Sequence, residues 1–224
     1  MLSAALRSIL LPLSRVAFRP EVHGAGNVPR TGAVILAANH LSFVDSFLIP
    51  LMTPRRVSFL AKQEYFRSGG GPKQFATRTF LNGIDAIPVP RGGYRAAQES
   101  LEAALRVLEA GGAFGIHPEG SRSRDGRLYR GRTGVAWLAI ASGAPVVPVA
   151  LRGTERIQPV GARAPRPGKV VVRFGEPMRF AQPADGRPGP ARRAATDTIM
   201  AAIAELSGQP VADQYNELSA GTAI

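Results

Sequence analysis

Apolar residues along this chain alternate between two rhythms. Short unbroken runs read as buried strands, and between them apolar positions recur every three or four residues, as on one face of a helix. Ala33-Val34-Ile35-Leu36-Ala37-Ala38 is the first strong strand, followed by runs at 57–60, 85–90, 113–117, 146–151 and 169–174, with a short strand at 21–24 before them. Helical spacing covers 42–52, one turn at 62–66, and 94–110, where Ala97, Leu101, Ala104, Leu105 and Leu108 share a face and Gly111-Gly112 ends the element. It returns at 134–142, closed by Gly143, and at 191–206. Glycines at 69–71 mark a break. Strands separated by helices predict an α/β fold: one domain over residues 19–207, with a mixed, mostly parallel central sheet flanked by helices. Residues 208–224 are expected to be a loosely ordered tail.

Residues 1–18 predict a separate N-terminal amphipathic helix. On a helical wheel Leu2, Ala5, Leu6, Ile9, Leu10, Leu13, Val16 and Ala17 fall in one arc, with Arg7, Ser8 and Arg15 opposite and Leu11 out of place. Two arginines and Pro12 speak against a membrane span, which needs about 20 mostly apolar residues. Arg15 also interrupts the apolar region a signal peptide would need. Two readings remain: an interfacial helix with its arginines at lipid headgroups, or a helix packed on the domain's own core.

The chain of 224 residues has 45% hydrophobic and 20% charged residues, the balance of a globular protein. It has no cysteine, which excludes disulfides, thiolate metal sites and a cysteine nucleophile. Its 28 basic against 16 acidic residues give a formal charge of +12, favouring anionic partners. Nucleic acid is not among the expected ones. Only 7% of residues are aromatic, and no helix-turn-helix, zinc-finger or RNP-like pattern is found.

The candidate chemistry begins at Asn39-His40-Leu41-Ser42-Phe43-Val44-Asp45, directly after the first strong strand. Ser42 and Asp45 resemble a capping box, placing a helix start at Ser42. Within one helix, five residues rotate about 500°, and His40 and Asp45 would point apart. If His40 lies in the turn before the helix it can fold back onto Asp45, which then holds one ring nitrogen and leaves the other for a substrate hydroxyl. The plainer alternative makes Asp45 a capping residue and His40 a polar strand end. A second block, Ile116-His117-Pro118-Glu119-Gly120-Ser121-Arg122-Ser123, also follows a strand, and Arg91 ends another beside Gly92-Gly93. Guanidinium groups at such ends suit a phosphate. Arginines at 122, 124, 127, 130 and 132 make the following loop strongly basic.

Together these blocks, with Val147-Pro148-Val149 after them, resemble the glycerolipid acyltransferase family, whose members include the 1-acylglycerol-3-phosphate acyltransferases. Two positions depart from the family pattern: Ser121 stands where it has threonine, and His117 where it has phenylalanine. His117 is read as a packed ring. The resemblance implies acyl transfer from a thioester, acyl-CoA or acyl carrier protein, to the sn-2 hydroxyl of 1-acylglycerol 3-phosphate, without a further cofactor or metal. His40 would be the general base and Asp45 its orienter, with Arg91, Glu119, Gly120, Ser121 and Arg122 at the acceptor phosphate and Glu119 bracing Arg91 or Arg122. It also implies a lipid acceptor; the amphipathic helix at residues 1–18 adds the expectation of an anionic membrane surface and a peripheral location on the cytoplasmic face. Three alternatives stay open: the same chemistry on another acceptor such as glycerol 3-phosphate, another lysophospholipid or a glycolipid; a non-catalytic lipid-binding protein; and a metal-dependent hydrolase using His40, Asp45, His117 and Glu119.

Overall fold

The computed structural model describes residues 2–66, 71–83, 86–89, 93–162, 164–183 and 186–216. Its elements run in chain order as α1 (Leu2–Phe18), β1 (Glu21–His23), β2 (Val34–Ala38), α2 (Asp45–Met52), β3 (Ser58–Lys62), α3 (Pro72–Gly83), β4 (Ile87–Val89) and α4 (Gly93–Glu109). There follow β5 (Ala113–Ile116), β6 (Leu128–Tyr129), α5 (Gly134–Ser142), β7 (Val146–Arg152), α6 (Thr154–Ile157), β8 (Val171–Phe174), α7 (Pro188–Ser207) and β9 (Val211–Ala212). The main sheet has the order β1-β8-β7-β2-β5-β3-β4. All its pairings are parallel except β7 with β8, so the expected mixed, mostly parallel α/β sheet is present.

The unbroken apolar run of β2 follows from its place at the middle of this sheet. Val34, Leu36 and Ala38 pack into one hydrophobic layer with Leu48, Ile49 and Val149. Ile35 and Ala37 face the other, with Leu138, Ile199 and Ile203. Gly115 in β5 is small for a packing reason: a Cβ there would lie 2.0 Å from the Phe59 ring. Because β2 and β5 are parallel neighbours, with Ala37 opposite Ile116, the chain segments leaving their carboxyl ends emerge side by side.

Three features depart from the sequence reading. First, α3 was not expected; it begins at Pro72, directly after the glycine run, where proline's missing N–H is harmless. Second, residues 209–216 are tied down rather than loose: β9 pairs in parallel with the short β6. Third, α1 packs on the domain through a mixed face. Leu10, Leu11 and Phe18 pack on the core, and Ser14 is buried. Arg7 does not project towards a headgroup. Its guanidinium donates to the carbonyl oxygens of Pro50 (2.7 Å), Leu51 (3.2 Å) and Thr53 at the end of α2. Carbonyls left unpaired at a helix end, with the negative pole of its dipole, explain that preference. Three residues of the apolar arc are consequently turned outward, with Ile9 66%, Leu13 60% and Val16 79% exposed. Among the described residues no helix is long and apolar enough to cross a membrane.

Candidate active site

α2 begins at Asp45, three residues later than the capping-box reading placed it, and residues 39–44 form the turn from β2. Half of the box survives: the Asp45 carboxylate reaches back to the Ser42 N–H (2.7 Å). The Ser42 hydroxyl instead donates to Gln158 O (3.0 Å). The later start lets His40 fold back. Its Nδ1 lies 3.0 Å from Asp45 Oδ2, which also accepts from the Leu41 N–H (2.7 Å). A carboxylate only accepts, so Nδ1 carries a proton, and in the neutral ring the lone pair lies on Nε2. Asp45 is completely buried, and burial alone would raise its carboxyl; the hydrogen bond and charge of His40 bring it below the ordinary range instead. The result is an ionised carboxylate fixing the tautomer and orientation of an imidazole.

His117, leaving β5, stacks on His40 with ring centroids 3.9 Å apart and planes 9° from parallel. Its Nδ1 donates to the carbonyls of Ala38 (3.2 Å) and Asn39 (3.0 Å), and its Nε2 accepts from the Ser46 hydroxyl (3.2 Å). Burial, then the neighbouring His40 charge, push it down to about 3. It is the packed ring expected from sequence, and it also ties the end of β2 to the first turn of α2.

Glu119 is also completely buried, and its partners differ from the expected arginines. Oε1 accepts from the His40 N–H and Oε2 from the Tyr129 N–H, both at 2.9 Å. Arg122 is not among its partners, and Arg91 lies outside the described residues. A buried carboxylate between two backbone donors satisfies N–H groups that would otherwise be stranded. Burial pushes Glu119 up to about 7, against the pull of those two donors.

Gly120 adopts φ +78°, which a side chain would strain, and the space above it is filled by Arg132, whose Nε would lie 2.9 Å from an added Cβ. Arg132 had been visible only as one arginine of a basic loop. The Ser121 hydroxyl is buried without a hydrogen-bond partner among the described residues, and the Arg122 side chain is half-buried. The Ser123 N–H donates to His40 O (2.7 Å), locking the second block to the first.

The sequence alone assigns Asn39 no separate role. It is fully buried and its amide completes the edge between β2 and β7: Oδ1 accepts from the Leu151 N–H (2.8 Å) and Nδ2 donates to Leu151 O (2.9 Å). Nδ2 also reaches Gln209 Oε1 (2.6 Å). An amide side chain presents the same donor and acceptor as a peptide, and only the motif's resemblance could have flagged it beforehand.

Comparison with known proteins gives a consistent answer. The acyltransferase family model matches residues 19–152. A 1-acyl-sn-glycerol-3-phosphate acyltransferase of Limnanthes douglasii is 32% identical over 145 residues, 64% of this chain and 50% of that protein. A chloroplastic enzyme of the same name from Brassica napus is 27% identical over 146 residues, 65% of this chain and 40% of its own. This chain thus spans half or less of the length of these two relatives. The crystal structure of the 1-acyl-sn-glycerophosphate acyltransferase PlsC from Thermotoga maritima superposes with a TM-score of 0.64 at 23% identity, covering 91% of this chain and 82% of that one. The last comparison speaks for the fold.

Proposed function

The chain belongs to the acyltransferase family, and from that premise we propose that it transfers a fatty acyl group from a thioester, acyl-CoA or acyl carrier protein, to the sn-2 hydroxyl of 1-acylglycerol 3-phosphate. The observation that carries this reading is the buried His40–Asp45 pair, with Nδ1 committed to the carboxylate. In the proposed reaction His40 Nε2 accepts the hydroxyl proton as the acceptor oxygen attacks the thioester carbonyl. The C–O bond forms, the C–S bond breaks, and the thiolate leaves with the proton from the imidazolium. Asp45 remains ionised and stabilises that imidazolium. A base of this kind contributes roughly 10²–10⁴ in rate. Acceptor phosphate binding is assigned to Arg91, Arg122, Ser121 and the backbone at Gly120; the Ser121 hydroxyl has no hydrogen-bond partner among the described residues. Glu119 contributes by holding the His40 backbone. The metal-hydrolase alternative is disfavoured because Glu119 and His117 are committed to the backbone and Ser46 and Asp45 Oδ2 to His40 and two N–H groups, which leaves only Asp45 Oδ1 and His40 Nε2 of its proposed ligands.

The protein would lie peripherally on the cytoplasmic side of an anionic bilayer, where a lipid acceptor arrives by lateral diffusion; the exposed Ile9, Leu13 and Val16 of α1 support the bilayer contact. Thiol release by the purified full chain, across lysophosphatidate, other lysophospholipids, glycerol 3-phosphate and monoacylglycerol, with both donors, tests the proposal. Lysophosphatidate should be the best acceptor. His40→Ala should lower turnover at least a hundredfold with the fold retained, and Arg122→Ala should raise KM for phosphorylated acceptors alone. Near wild-type turnover in His40→Ala would refute the mechanism, and indifference to the acceptor phosphate would refute the substrate assignment.

A further inference from the structure

Residues 209–216 lie outside the part of the chain that the family model matches, yet they touch both blocks of the site. Gln209 accepts from Asn39 Nδ2 (2.6 Å), next to His40, and its own Nε2 donates to Gly126 O (2.8 Å) in the basic loop. Asn216 Nδ2 donates to the carbonyls of Ser121 (3.3 Å) and Arg122 (3.1 Å). Between these two amides the backbone follows the basic loop: the Leu128 N–H donates to Pro210 O and the Arg130 N–H to Gln214 O, each at 2.9 Å. The Tyr215 ring carries the guanidinium groups of Arg130 and Arg132 at 5.4 and 5.6 Å, and Arg132 is the side chain that covers Gly120.

We propose that this segment is a strap that positions the acceptor-side loop against His40, with Asn216 as the positioning residue for Arg122 and Gln209 for the Asn39–His40 corner. The function named for Arg122 rests on the reading above; the mechanical role does not. The loop needs such support. β6 has only two residues, too few to stand without a partner, and five arginines between 122 and 132 repel one another. Glu119 holds β6 on one side through the Tyr129 N–H, and β9 holds it on the other. The neutral amides of Gln209 and Asn216 anchor the strap at both ends without adding charge to a site meant for an anion. Tyr215 disperses two of the positive charges over its ring face.

The test compares the wild-type full chain with Asn216→Ala and with Gln209→Met, which keeps the length of the side chain and removes its amide. Hydrogen exchange of the 119–123 amides should quicken about fivefold in Asn216→Ala, the worth of roughly one hydrogen bond. Exchange at 39–42 should quicken similarly in Gln209→Met. In turnover, Asn216→Ala should raise KM for lysophosphatidate about fivefold, with kcat and the donor KM within twofold and monoacylglycerol unaffected. Unchanged exchange at both segments overturns the strap, and equal kinetic losses on both acceptors overturn the assignment of Asn216 to Arg122. Because exchange needs no turnover, it judges the strap even if the wild-type protein releases no thiol from any acceptor, a result that would instead refute the proposed function.

Discussion

Replacing Glu119 with glutamine should weaken the fold more than it weakens acceptor binding. The two carboxylate oxygens each accept one buried N–H at 2.9 Å, from His40 and from Tyr129. A glutamine can present its carbonyl to one of them, but its NH₂ then meets the other donor. One bond of about 0.5–1.5 kcal/mol is lost and one buried N–H is left unpaired, for a total of roughly 1–3 kcal/mol. The pH dependence carries a second signature. Burial pushes the Glu119 pKa up to about 7 from the ordinary 4.5, so between those values the folded state holds a proton that the unfolded state has released. Stability from this group therefore falls as pH rises through that window, by up to about 1.4 kcal/mol per unit. Glu119→Gln lacks that slope, so its deficit should be largest near pH 5 and smaller at pH 7. Chemical denaturation across this range, together with steady-state kinetics, measures both effects. The reasoning would be refuted by a variant as stable as the wild type whose only defect was a raised KM for phosphorylated acceptor. That result would return Glu119 to the arginines, where the sequence reading had put it.

The two faces of α1 should separate cleanly. Arg7→Ala removes the charged donor from three carbonyls at the end of α2 and should cost about 1.5–3 kcal/mol of stability by denaturant melts. Leu13→Glu and Val16→Glu, on the exposed face, should leave stability unchanged and release the protein from anionic liposomes in co-sedimentation; retention on the liposomes would exclude α1 as the docking face. His117→Phe should keep the stack on His40 while stranding the carbonyls of Ala38 and Asn39, costing about 1–3 kcal/mol with kcat within tenfold of wild type. Since His117 is held at about 3 when folded against 6.5 when unfolded, it makes the protein lose stability as pH falls from 6.5 towards 3, and the variant's acid melt should be shallower. A loss of activity as large as that of His40→Ala would show that His117 moves protons.

The pattern of apolar residues determined the strands of the main sheet, most of the helices and the α/β class by itself, because burial on a sheet or helix face imposes a period that any local window can read. The His40–Asp45 pairing was legible for a related reason: it joins residues five apart, and a turn between strand and helix is enough to close it. What tertiary structure decided are the partners of groups whose need is not local. Arg7 meets α2 across 43 residues, the His40 N–H meets Glu119 across 79, and Asn39 meets Gln209 across 170. A period reports that a position is buried but not which stranded carbonyl or N–H will face it there. The wheel of α1 therefore showed an apolar arc but could not say what each face meets: the unpaired carbonyls at the end of α2 attracted Arg7, and Ile9, Leu13 and Val16 were left facing outward. The same holds for residues 209–216, whose polar, proline-containing sequence looks like a tail until β6 and the motif loops supply the donors and acceptors it was missing.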